Sequence, residues 1–478
     1  MHARTLSAAA LMAAVGISQV AFAAGDDELR QLRDQLQQLK DQYEKRMEAL
    51  ERRIGEAEKS SVARASVSEP PPAAPTVASG AGSGANAFNP AISLILNGTY
   101  GVLSRDPNPY PRARSGYRIN GFVPSLGEVN PPRRGPSLGE TELAISANID
   151  PSFRGSAFIS LSPDDTVSVE EASISTLDLP DGFTAKAGRY FPAVGYLNEI
   201  HPHAWDFTDA PLANKVFLGG RVADDGVQLR WIAPTESTYF DAGLDAGRGR
   251  QFPAGPAGGR NRNGFNAANL FAHVGGDLGD STAWQVGAAQ LRTSPQDRTY
   301  EDLDATGALV TNGFSGRSRL WALSGVLKWA PNGNASSRSL KLQGEFFRRN
   351  EEGSLAYDTL SSSRGPLIGG VSSKQSGWYL QSVYQFLPRW RVGYRYDRLD
   401  SGSASVGLVN TGTLSAADFP VLASYTPTRN TVMTDWSLSE FSRLRLQLAR
   451  DNSRQGQPDN QLFIQYVMSL GAHGAHQF

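Results

Sequence analysis

The feature that most constrains this chain is an alternation of period two in which the polar side carries charge. In Arg443-Leu444-Arg445-Leu446-Gln447-Leu448 every second side chain is leucine, and those between are arginine or glutamine. Gly226-Val227-Gln228-Leu229-Arg230-Trp231, Ser339-Leu340-Lys341-Leu342-Gln343-Gly344-Glu345-Phe346 and Trp390-Arg391-Val392-Gly393-Tyr394-Arg395-Tyr396 follow the same rule. A β-strand sends successive side chains to opposite faces, so each segment reads as a half-buried strand. A face of Arg, Lys and Gln cannot form the core of a soluble sandwich, because unpaired buried charge is too costly. It can line a wet lumen when the sheet closes on itself and turns its apolar face to lipid.

Strands are expected near 92–103, 115–123, 139–149, 154–162, 166–178, 183–190, 225–233, 238–246, 269–277, 282–292, 318–330, 338–349, 375–386, 389–399, 430–438, 442–450 and 461–470. Bacterial single-chain barrels have an even number of strands. Segment 115–123, with its Gly and Pro neighbours, is therefore assigned to a loop. The fold class is all-β: a transmembrane antiparallel β-barrel of sixteen strands, wide enough for a water-filled channel. Ser162-Pro163-Asp164-Asp165, Leu179-Pro180-Asp181-Gly182, Ala233-Pro234-Thr235-Glu236 and Gly279-Asp280 read as tight turns. The stretches 104–137, 191–224, 247–267, 293–316, 351–374 and 400–428 read as large outer loops. Tyr190, Phe191, Trp231, Trp329, Trp378, Tyr379, Trp390 and Phe441, close to strand ends, are candidates for interfacial aromatic girdles.

Residues 1–23 have the pattern of a signal peptide: a short polar start, an apolar run over Leu6 to Val20, and Ala21-Phe22-Ala23 as a small-x-small cleavage site. Residues 24–55 are expected to form a periplasmic coiled-coil helix. Leu29, Leu32, Leu36, Leu39, Tyr43, Met47, Leu50 and Ile54 make a narrow apolar seam that partner helices would bury. Residues 56–88, rich in Ala, Pro, Ser and Gly, read as a disordered tether, leaving 89–478 for the barrel. The terminal Phe478 resembles the export signal by which outer-membrane assembly machinery receives such barrels. No later apolar run approaches a helical membrane span, and the mean hydropathy is -0.35. The absence of cysteine fits an exported chain without disulfides or thiolate metal sites. A net charge of -1 gives no reason to expect nucleic acid as a partner.

Two groups of residues are functional candidates. Arg189, Arg230, Arg391, Arg395, Arg443 and Arg445 would face one channel and favour anions, unless carboxylates such as Glu142, Glu170 and Glu345 cancel them. The segment Asn198 to Asp209 holds Glu199, His201, His203 and Asp206 close together. It reads first as a constriction loop bonded to the barrel wall. Its second reading is a solute or metal contact, since imidazole and carboxylate suit zinc or another borderline divalent ion. No other cofactor is expected, and no lipase-like Gly-x-Ser-x-Gly or His-Glu-x-x-His element points to an enzyme.

Phe88-Asn89-Pro90-Ala91-Ile92-Ser93-Leu94-Ile95-Leu96-Asn97-Gly98, Gly139-Glu140-Thr141-Glu142-Leu143, Lys186-Ala187-Gly188-Arg189-Tyr190-Phe191 and His203-Ala204-Trp205-Asp206-Phe207 together resemble a group of proteobacterial outer-membrane proteins loosely labelled TonB-dependent or zinc-regulated receptors. The Lys-x-Gly-Arg-x-Phe element is similar to one in trimeric sixteen-stranded porins, and a coiled coil before the barrel is similar to certain sugar and dicarboxylate porins. The resemblance implies an outer-membrane barrel and a homotrimer and does not name a solute; the polar inner face and its arginines add the expectation of passive diffusion of small hydrophilic solutes, with a weak preference for anions. A TonB-dependent receptor carries a large globular plug before its barrel, whereas a signal, a helix and a tether precede Phe88 here. The alternative is an outer-membrane receptor or metal-related uptake protein with an occluded barrel.

Overall fold

The computed structural model describes residues 90–107, 119–122, 133–162, 165–255 and 263–471. The signal peptide, coiled coil and tether expected before them lie outside the described residues, as does Phe478.

One antiparallel sheet accounts for nearly all of the regular structure. Its strands are β1 (Ala91–Leu103), β2 (Gly135–Leu138), β3 (Thr141–Asn148), β4 (Phe153–Leu161), β5 (Val167–Thr176), β6 (Phe183–Tyr190), β7 (Asp224–Ile232), β8 (Thr238–Gly247), β9 (Ala267–Leu278) and β10 (Thr282–Thr293). They continue with β11 (Arg298–Leu303), β12 (Leu309–Trp329), β13 (Ser339–Tyr357), β14 (Leu367–Leu387), β15 (Trp390–Asp400), β16 (Ser405–Val406), β17 (Thr428–Ser439), β18 (Ser442–Asp451) and β19 (Asp459–Gly471). Each strand pairs with its neighbours, and β1 pairs with both β3 and β19, which closes the sheet. The short β2, β11 and β16 extend the ladders of β1, β12 and β14. The other sixteen form the barrel wall. Closure leaves no open edge to template aggregation.

Burial is inverted relative to a soluble protein. Leu444, Leu446 and Leu448 on β18, Ile464 and Tyr466 on β19, and Val227 and Leu229 on β7 are exposed. Between them Arg445, Gln447, Gln465 and Gln228 are buried. Register explains this: Arg445 lies opposite Gln465 and Leu446 opposite Ile464, so one face of the ladder is polar throughout and the other apolar. An apolar outer band with a polar interior is stable only in a bilayer. On the side of the tight turns, Trp390 stacks on Trp436 at 5.7 Å and Phe183 lies 6.5 Å from Trp231, a ring of interfacial aromatics. Tyr190, Phe191 and Tyr379 do not join such a ring; they point inward and are buried.

Sixteen of the expected strand segments are present, and the described part of 115–123 is not a strand. The stretches 293–316 and 351–374, read as loops, are largely strand: β12 and β13 pair from Gly313↔Ala356 downward, and β13 and β14 as far as Tyr357↔Leu367. Their Gly and Ser content mimics a turn. Here glycine answers a close approach instead, since a Cβ on Gly316 would meet the Glu352 carbonyl oxygen at 2.3 Å and one on Gly353 the Ser315 oxygen at 2.2 Å. Tyr300, Val310, Leu355, Tyr357, Leu408 and Phe419 bury a second apolar cluster on this extension.

Candidate functional site

Segment 191–223, between β6 and β7, folds into the lumen instead of outward. Pro192 and Val222 bring its two ends together on Asn198: the amide Nδ2 donates to both carbonyls at 2.8 and 3.1 Å, and Oδ1 accepts the Val222 N–H at 2.7 Å. Within the segment, α1 (Leu212–Leu218) is seven residues long and fully buried. Its first-turn N–H on Leu212 is satisfied by the Asp397 carboxylate of β15 at 2.9 Å. It ends at Gly219, whose φ of 68° suits a glycine at the left-handed capping position. Ala213, Val216 and Phe217 pack with Phe122, Leu320, Phe347 and Leu399, so an apolar core forms inside an otherwise polar lumen.

The barrel wall holds the segment through its arginines. The Asp209 carboxylate accepts from Arg395 at 3.1 Å, Lys215 at 3.0 Å, Gln447 at 3.1 Å, and Arg429. The Asp206 carboxylate accepts from Lys341 at 3.0 Å and Arg391 at 3.1 Å. Arg443 donates to the His203 carbonyl at 2.8 Å and Arg445 to the Trp205 carbonyl at 3.0 Å. Asp435 of β17 sits among Arg391, Arg443 and Arg445. Burial alone would raise the Asp209 pKa, but Arg429, Lys215 and Arg395 outweigh it and hold the carboxyl well below the usual range. Asp206 is likewise lowered, its burial outweighed by Lys341 and Arg391.

These contacts change the reading of the six arginines. Arg391, Arg395, Arg443 and Arg445 face the interior, but as anchors of the inserted segment rather than as a bare ring of charge. Arg395 and Arg445 are fully buried beneath it. Arg230 faces inward and pairs with Asp241 and, at 3.6 Å, with Glu199. Arg189 does not face the lumen. It lies opposite Asp225, two positions from the exposed Val227, and the pair closes at 2.6 Å on the outer side of the wall. A one-residue difference in register reverses the face a side chain occupies. Of the acids expected to cancel the arginines, Glu142 turns to the histidines, Glu170 to Arg221, and Glu345 to the Tyr196 N–H and Tyr379 hydroxyl, each at 2.7 Å.

Glu199, His201, His203 and Asp206 do not form one contact. Glu199 goes to Arg230 and Asp206 to Lys341 and Arg391, because the two short 3-10 turns around Pro202 send neighbouring side chains to different walls. The histidines instead meet acids of β3 and β5. His201 Nδ1 lies 2.6 Å from Glu142 and 3.5 Å from Glu170, His201 Nε2 lies 2.9 Å from Glu171, and His203 Nδ1 lies 3.8 Å from Glu142. Burial by itself would lower the His201 pKa; the contacts with Glu142, Glu170 and Glu171 outweigh it and raise it well above the usual value. Sequence spacing gave no sign of these acids, which lie on other strands.

The closed apolar-coated wall and polar interior define an outer-membrane β-barrel, its lumen crossed by an inserted loop. No known protein family's sequence profile matches the chain. A protein of Aquifex aeolicus (strain VF5), described as an uncharacterized protein, is 30% identical over 414 residues, covering 82% of this chain and 80% of that one. This chain belongs to the same family as that protein. Among solved structures, an outer-membrane protein of Vibrio cholerae, OmpT with its loop L8 deleted, superposes with a TM-score of 0.46 at 11% identity, covering 80% of this chain and 99% of its own. An anion-selective porin from Comamonas acidovorans gives 0.44 at 10%, over 80% and 99% of the two chains. The outer-membrane channel DcaP of Acinetobacter baumannii gives 0.43 at 9%, over 80% and 97%.

Proposed function

We propose that this protein is a porin-like channel for passive diffusion of small hydrophilic solutes, with segment 191–223 setting its narrowest passage and with a preference for anions. The observation that carries this reading is the wall itself: its inner face is polar along the barrel, as a water-filled path requires and a packed core does not. The preference rests on which charges remain accessible. Lys341, Arg391, Arg230 and Arg443 keep 25%, 24%, 21% and 17% of their side chains exposed, against 6% for Asp206 and 0% for Asp435 and Asp241. Glu199 at 24%, Glu140 at 15% and Glu171 at 14% are accessible acids that oppose the preference. Protein reconstituted in planar bilayers is expected to show stepwise conductance, with reversal potentials across a salt gradient that favour anions. Lys341→Gln and Arg443→Gln should each reduce the preference. A current carried mainly by cations would overturn the selectivity.

The apolar cluster around α1 favours a second reading, a receptor or metal-related uptake protein with an occluded barrel. Silence across many insertions of folded protein would select it.

A homotrimer is part of the proposal. Strands β3 to β6 have 8, 9, 10 and 8 residues, whereas β12, β13 and β14 have 21, 19 and 21. On the outer side of the short strands stand Gly155, Ala157, Ala172, Ala185 and Ala187, placed there by register with the exposed Ile174 and Val227. Such a low, smooth wall suits close packing against another copy. Light scattering of the detergent-solubilised protein should give a trimer mass, and Ala157→Trp should lower it; a monomer mass for the wild type would refute the assembly.

A further inference from the structure

We propose that His201, His203 and Glu142 bind one divalent transition-metal ion of the zinc class, clasping the inserted segment to β3. This goes beyond the channel reading and does not depend on it.

The donor atoms already converge. His201, His203 and Glu142 each offer one donor atom within 4.8 Å of the other two, and a second overlapping group joins His201 and Glu142 with Glu140 and Glu170. Bonds of about 2.0–2.2 Å to a tetrahedral ion put neighbouring donors roughly 3.3 Å apart. The present separations straddle that value: 2.6 Å from His201 to Glu142 and 3.8 Å from His203 to Glu142. Glu142 Oε2 and His201 Nδ1 are both buried, yet neither makes a well-aligned hydrogen bond. Seating an ion requires His201 and Glu142, now 2.6 Å apart, to separate by about 0.7 Å.

The surroundings have the form that a metal-bound histidine needs. The other ring nitrogen of His201 faces a carboxylate, Glu171, at 2.9 Å. A partner of this kind holds the Nε2–H and raises the basicity of Nδ1, whose own proton, favoured by the surrounding carboxylates, passes to solvent when the ion takes its place. Phe158 and Phe191 flank the ring at 4.7 and 5.4 Å and hold its plane. Four carboxylates, Glu140, Glu142, Glu170 and Glu171, are gathered around the two imidazoles, with the guanidinium of Arg221 against Glu140 and Glu170. Two nitrogen donors select zinc-like ions over calcium or magnesium, which take oxygen ligands.

The test uses full-length protein purified without a polyhistidine tag, stripped with chelator, and titrated in detergent with Co2+, whose visible absorption reports the ligand field, followed by displacement with Zn2+. The wild type is expected to bind a single equivalent that the His201→Ala/His203→Ala variant lacks. Glu171→Gln should keep the stoichiometry and weaken binding about 10–100-fold. Glu199→Gln, whose carboxylate goes to Arg230, should match the wild type. Heat-modifiable gel migration shows that each variant is a folded barrel. Equal binding by wild type and the double variant would overturn the site, as would no saturable binding or an unchanged affinity in Glu171→Gln.

Discussion

Asp209→Asn is expected to raise single-channel conductance severalfold and to accelerate amide hydrogen exchange across residues 205–218 by about 100-fold or more. The Asp209 carboxylate neutralises Arg395, Arg429 and Lys215, whose side chains are 1%, 1% and 4% exposed. Removing one partner of a buried ion pair costs about 3–5 kcal/mol; Asp397, 3.1 Å from Arg395, and Asp451, 3.7 Å from Arg429, offset part of that cost here. The strand ladders do not pass through Asp209, so the barrel itself should melt as the wild type does. The same charges define a pH response. The carboxyl pKa is depressed, so the clamp is complete above the ordinary carboxylate value and is lost only as pH falls through the lower folded value. The Asp209 contribution to seating the segment should therefore stay constant from neutral pH to about pH 4, near the unperturbed value for aspartate, as amide exchange across residues 205–218 would report. A wild-type segment that loosens as pH approaches 5, or an Asp209→Asn protein with unchanged exchange, would show that the clamp lies elsewhere.

The second large effect is expected from Phe217→Ala. Phe217 is fully buried, with Phe122 at 5.8 Å on one side, Phe347 at 5.9 Å on the other and the Arg349 guanidinium at 5.3 Å. Truncating a buried phenylalanine costs about 3–5 kcal/mol, because the cavity cannot collapse against a stiff barrel wall. Here the loss falls on the seating of α1, since Phe217 is the largest apolar side chain that α1 places in the core. Limited proteolysis should then cut between residues 205 and 220, where the wild type resists. Leu380→Ala, a residue 56% exposed on the outer face, serves as the comparison and should leave this resistance intact. Equal resistance in Phe217→Ala would mean that polar anchors alone hold the segment.

Much of the fold is legible because alternation is a local property: each strand announces its two faces in its own residues, as Arg443 to Leu448 do, and the turns between strands carry their own Pro, Asp and Gly. Local evidence failed where composition and geometry part company. The Gly- and Ser-rich stretches around Gly316 and Gly353 look like loops, and only the facing strand shows that glycine is needed there for close backbone approach. Arg189 was misplaced for a related reason. Alternation within β6 is weak, and it is the pairing with Asp225 that assigns its face.

The candidate site was legible in part: the segment holding His201 and His203 does enter the barrel, as a loop so dense in polar and aromatic residues suggested. Its partners were not. His203 and Arg443 are 240 residues apart, Leu212 and Asp397 are 185 apart, and His201 and Glu171 are 30 apart on different elements. Period and turn chemistry, joined to the even strand number of bacterial barrels, pointed to a sixteen-stranded barrel with a charged inner face, because alternation and turns depend on neighbours within a few positions. Which of those charges are neutralised, and which acids surround the histidines, was decided by the tertiary structure. Closing the barrel brings side chains from distant strands within 2.6–3.8 Å of one inserted loop, and no local pattern encodes that approach.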